Sequence, residues 1–83
     1  MSTREIENFI FQNSVFVFID GREDEGMVVS RYNITAGKVE YYFIPSTNIL
    51  AFQATRGPRS TEAYMKLGKA VDISDILDAR RIN

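Results

Sequence analysis

The chain has 83 residues, 10 of them basic and 11 acidic, for a net charge of −1. Such a length makes one domain with a modest core, whose stability amounts to a few kcal/mol. There is no cysteine and no histidine, which excludes a disulfide framework, a thiolate metal site, the commonest general base and the usual switch near neutral pH.

The first residues are polar, and Gln12, Asn13 and Ser14 interrupt the apolar stretch that follows. No run approaches the roughly 18 apolar residues that span a bilayer, so the expectation is a cytoplasmic protein with no signal peptide and no membrane contact. Ser2 and Glu5 form a capping-box pattern, with Ile6, Phe9 and Ile10 as one apolar stripe behind it. This predicts a short helix over residues 3–11. A strand over 14–20 follows, with Val15, Val17 and Ile19 on one face and Phe16 and Phe18 on the other. Both faces are apolar, so both require cover. Gly21 and Gly26 bracket an acidic turn, and Gly26 permits a bulge or sharp bend as the second strand, 26–32, begins. Residues 33–37 make a turn, and a third strand over 38–44 alternates Val39, Tyr41 and Phe43 against Glu40, Tyr42 and Ile44.

Pro45 ends that strand. A helical insertion over 46–70 comes next, with Ile49, Leu50 and Phe52 in its first part and Tyr64 and Leu67 in its second. The Arg56-Gly57-Pro58 break separates the two, Ser60 caps the second, and Gly68 terminates it. A fourth strand over 71–73, a tight turn at Ser74-Asp75 and a last strand over 77–82 complete the chain. The expected buried set is Val17, Ile19, Val28, Tyr41, Phe43, Ile73 and Ile76. The fold class is therefore mainly β with short helices: a five-stranded, strongly bent antiparallel barrel, spanning residues 1–83 as one domain.

The run Val17-Phe18-Ile19-Asp20-Gly21-Arg22, followed by Gly26-Met27-Val28, resembles the first motif of Sm-like proteins. The segment Val71-Asp72-Ile73-Ser74-Asp75-Ile76 stands where their second motif falls. The order of a short helix and five strands also fits, and an SH3-like barrel would look much the same. The resemblance covers about half the chain. It implies the barrel and, as an alternative function, RNA or DNA binding. Asp72 and Ile73 replace the family's Arg-Gly, the RNA-contacting Asn has no counterpart, Tyr32 is displaced by one residue, and 46–70 is longer than the family's loop. Fold likeness alone does not carry function.

Asp20, Glu23, Asp24 and Glu25 lack the spacing of a calcium loop and read as a solvated turn. No metal and no cofactor are expected. Nothing pairs a nucleophile with a base, so catalysis is not expected either. Arg56, Arg59, Arg80 and Arg81 are the candidate nucleic-acid contacts of the alternative reading, with Asp72, Asp75 and Asp78 near the last two in sequence. The leading expectation is a protein-interaction or assembly module. Its partner is another protein or a second copy, met through Tyr42, Ile44, Phe52 and Tyr64 on the third strand and the insertion.

Overall fold

A computed structural model describes residues 1–54 and 61–82 of the chain. The elements run α1 (Thr3–Ile6), β1 (Ser14–Phe18), β2 (Glu23–Asn33), β3 (Lys38–Pro45), a 3-10 turn (Ser46–Asn48), α2 (Ile49–Ala54), α3 (Thr61–Leu67), β4 (Lys69–Val71), a second 3-10 turn (Ile73–Asp75) and β5 (Ile76–Arg81). The five strands make one antiparallel sheet in the order β4-β3-β2-β1-β5. Among the described residues no ladder joins β4 to β5, so the sheet is open at both edges. Also among them, no helix is long and apolar enough to cross a membrane.

The capping box at Ser2 forms as its sequence predicts, with reciprocal bonds of 3.0 and 3.2 Å to Glu5. The helix stops at Ile6, shorter than the stripe predicted. Phe11 takes a left-handed φ of 60°, and its amide donates to Val28 O at 2.9 Å. The chain leaves the helix to bridge β2 through Ile10. Phe9 and Ile10 still pack on the core.

β2 begins at Glu23, three residues before the expected start. The acidic residues are strand residues: Val17 faces Glu23, Phe16 faces Asp24 and Val15 faces Glu25. The turn itself is tight, closed by Phe18 N–H to Arg22 O and Gly21 N–H to Phe18 O, both 2.9 Å. Gly21 supplies its φ of 89°.

Cross-strand pairing of β2 with β3 sets two faces. Val28 opposite Phe43 joins Ile6, Phe16, Phe18, Ile76 and Ala79 in the first core cluster. Met27 opposite Ile44 and Val29 opposite Tyr42 make the second, closed by Ile49, Phe52 and Tyr64 from the helical insertion. Gly26 and Gly68 allow the backbones to meet. A Cβ on Gly26 would lie 2.3 Å from Ile44 O, and one on Gly68 2.6 Å from Phe43 O.

The expected core needs correction at β1. Phe16 and Phe18 face the interior and Ile19 is 59% exposed, while Val17 is only half-buried. Both faces of β1 are apolar, so alternation alone leaves the choice open, and ring volume decides it. Phe16 and Phe18 stand edge-on to Phe43, with centroids 6.0 and 5.7 Å away. Choosing the other face inverts every side chain of the strand. Tyr41 and Ile73 are also half-buried; Val28, Phe43 and Ile76 are buried as expected. On the outward face, Arg80 Nη2 reaches across β1 to Glu23 Oε1 at 2.9 Å. The cross-strand neighbours of Val15 and Val17 are the charged residues Glu25, Arg80, Glu23 and Asp78, and the two valines are half-buried among the strands with no helix over them among the described residues. β4 lies at 69–71 rather than 71–73, because Asp72 caps the second 3-10 turn through Ser74.

Candidate functional site

The expected open surface on β3 is closed. Tyr42 and Ile44 are buried, and Phe52 and Tyr64 lie on them, with Tyr64 5.3 Å from the Tyr42 ring and 5.2 Å from the Phe52 ring. Four residues named for a partner are thus brought together, but as a second core. The insertion carries its own apolar face, and covering β3 removes both faces from water at about 25 cal/mol per Å². What the helices turn outward instead is Leu50 and Met65.

A half-buried polar network borders this core. Glu40 accepts from Asn33 Nδ2 and from Tyr42 Oη, each at 3.1 Å, with Arg31 Nη1 at 3.8 Å. The Asn33 bond, helped by Tyr42 and the nearby cations and opposed by desolvation, holds the Glu40 carboxyl below its ordinary range.

The acidic turn is internally paired. Asp20 accepts from the Arg22 backbone at 3.0 Å and from Nε at 2.8 Å, while Asp24 takes Nη1 at 3.2 Å. These bonds hold Asp20 below its ordinary pKa, the Arg22 backbone bond most of all. Glu23 belongs to Arg80, and Glu25 accepts from Asn13 at 3.3 Å. Among the described residues no three acidic side chains converge as a metal site would require.

Of the candidate arginines, Arg80 and Arg81 are described, and both are engaged within the chain. Arg81 donates to Asn8 O at 2.9 Å and lies over the Phe9 ring, and Arg80 is held by Glu23. Arg56 and Arg59 lie outside the described residues.

Two features lie outside the expected site residues. The first is the pair of sheet edges. Along the β5 side Leu77 is 62% exposed, Ile19 59% and Ile82 41%. Leu77 is the extra residue of a bulge, since Val17 pairs Asp78 and Phe18 pairs Ile76. The bulge gives β5 a core spacing of three, Ile76 to Ala79, which a period of two misses. The second is a cavity of about 400 Å³ between the β1–β2 turn and the α3–β4 junction, lined by Phe18, Phe43 and Leu67 together with Arg22, Lys66 and Lys69. Lys66 and Lys69 look like ordinary surface charges in sequence; Gly68 between them was the only signal that the junction sits close on β3.

No family model, no curated protein and no solved structure matches this chain.

Proposed function

We propose that this chain is an assembly module that joins copies of itself edge to edge, β4 of one against β5 of the next. The sheet is read as the strongly bent, SH3-like or Sm-like barrel that the sequence resemblance implies, left open between those two strands. One observation carries the reading. The two faces of the sheet's centre are already occupied by core clusters, whereas among the described residues β4 and β5 end the sheet unpaired, with Leu77 and Ile19 exposed at the β5 side. Unpaired edges template strand addition unless blunted. Here β4 is three residues long and β5 carries the Leu77 bulge, so each edge is partly blunted and offers only a short ladder; the exposed Leu77 beside it adds an apolar contact. Unlike edges on opposite sides of one sheet give a head-to-tail contact, which closes into a ring or runs on as a filament. Catalysis has no place in this reading.

Nucleic-acid binding is the weaker alternative, since Arg80 and Arg81 are engaged within the chain. Sedimentation of the native chain and of Leu77→Lys across a concentration series tests the proposal, with single-stranded RNA titrated into the same samples. The native mass is expected to rise to a discrete multimer, and Leu77→Lys to remain monomeric with an unchanged circular dichroism spectrum. A strict monomer that binds RNA with nanomolar affinity at physiological salt would overturn it and promote the alternative.

A further inference from the structure

Edge association does not account for the cavity between the β1–β2 turn and the α3–β4 junction, which meets the β4 edge at Lys69. We propose that this cavity binds a single carboxylate carried on an apolar body, such as an aryl-substituted acid or the last residue of a peptide. Its apolar part is made by Phe18, Phe43 and Leu67, and the two rings, 5.7 Å apart, belong to the first core cluster. Its wall is fixed. Gly68 lets the junction ride directly on β3, where a Cβ would stand 2.4 Å from Ile44 Cδ1. Asn48 Nδ2 also holds Leu67 O at 2.9 Å. Lys66 and Lys69 are therefore carried on either side of a pinned glycine, so their backbone is ordered before a ligand arrives and only their side-chain rotamer freedom is lost on binding.

The charge inventory selects the ligand. Arg22, Lys66 and Lys69 line the cavity with Asp24 and Glu25. Asp24 is neutralised by Arg22, which also lies 5.0 Å over the Phe18 ring, and Glu25 is held by Asn13. Among the described residues neither the Lys66 nor the Lys69 ammonium group has an ion pair or a hydrogen bond. Two unpartnered ammonium groups beside an apolar surface suit an anion with an apolar body. Glu25, held only by the neutral Asn13 amide, keeps its negative charge beside the cavity, and with the apolar lining this favours a monoanion on an apolar body over a phosphate dianion. The volume of about 400 Å³ accommodates a phenylalkyl acid.

The test follows the amide signals of Gly68 and Lys69 while 3-phenylpropionate, its neutral amide, inorganic phosphate, and a short peptide ending in Phe, with a free or an amidated terminus, are titrated in turn. It is run on the native chain and on Leu77→Lys, so that failure of edge association and failure of this site are seen separately. Saturable shifts with the acid are expected, with affinity about tenfold weaker for the amide and for Lys66→Ala/Lys69→Ala. Lys38→Ala, an exposed lysine elsewhere, should leave binding unchanged. A free-ended peptide that binds tighter than the acid identifies a partner's C-terminus as the source; the reverse identifies a small free acid. Equal binding of acid and amide, phosphate binding as tightly as the acid, an equal loss in Lys38→Ala, or shifts that never saturate would overturn the proposal.

Discussion

Replacing Gly26 by alanine probes the closest approach in the fold. The new Cβ would meet Ile44 O at 2.3 Å and the Phe43 ring at 2.6 and 2.8 Å. The first of these atoms is backbone, held by the pairing of Gly26 with Pro45 and Met27 with Ile44. Relief requires the two strands to part by about 1 Å, or the Phe43 ring to leave its edge-on contacts with Phe16 and Phe18. Overpacking of this kind costs about 1–3 kcal/mol, and a rigid obstacle places the site near the upper end. The loss of glycine's freedom in the unfolded chain returns about 0.4–1 kcal/mol. The expected net loss is thus about 2 kcal/mol, a large share of the stability of a domain this small. Urea unfolding followed by circular dichroism measures it. In a Phe43→Leu background the penalty should shrink but persist, because the carbonyl remains. A neutral or stabilising Gly26→Ala would refute the close crossing of β2 and β3.

Phe16→Ala should cost about 3–5 kcal/mol while Ile19→Ala costs less than about 0.5, and urea midpoints in the opposite order would return β1 to the face that alternation suggested. Ile76→Ala, fully buried beside the β5 bulge, should lose about 2–4 kcal/mol; a loss below about 0.5 would mean that β5 is misplaced. Glu5, Asp20, Glu40 and Asp72 all have carboxyls held below their ordinary range by hydrogen bonds. Each therefore contributes stability that is complete above the ordinary carboxylate range and is lost as pH falls through its depressed folded value. Glu40→Gln should flatten the acid limb of a melting-temperature profile without altering the limb above neutral pH.

Local signals were legible where one answer satisfied them. The capping box at Ser2 and the turn between Tyr32 and Lys38 fell where their residues placed them. The face of β1 was not legible, because Val15, Val17 and Ile19 compete with Phe16 and Phe18 and only three-dimensional filling separates them. The covering of Tyr42 and Ile44 was missed for a related reason. Ile49, Phe52 and Tyr64 were seen as apolar, and the second face of β3 was seen as unmet, but the pairing of the two demands is a long-range contact with no local mark. The bulge at Leu77 broke the period on which the last strand was read. Lys66 and Lys69 acquire meaning only when the α3–β4 junction lies on β3.

Edge pairing is tested most directly by cross-linking. The chain has no cysteine, so single substitutions Ala70→Cys on β4 and Arg80→Cys on β5 introduce the only thiols. Each variant is oxidised alone and then in an equal mixture. The proposal predicts a disulfide-linked dimer that forms rapidly in the mixture and slowly or not at all in either variant alone. Cross-links confined to one variant, or none in a mixture whose sedimented mass is that of a multimer, would contradict the pairing of β4 with β5.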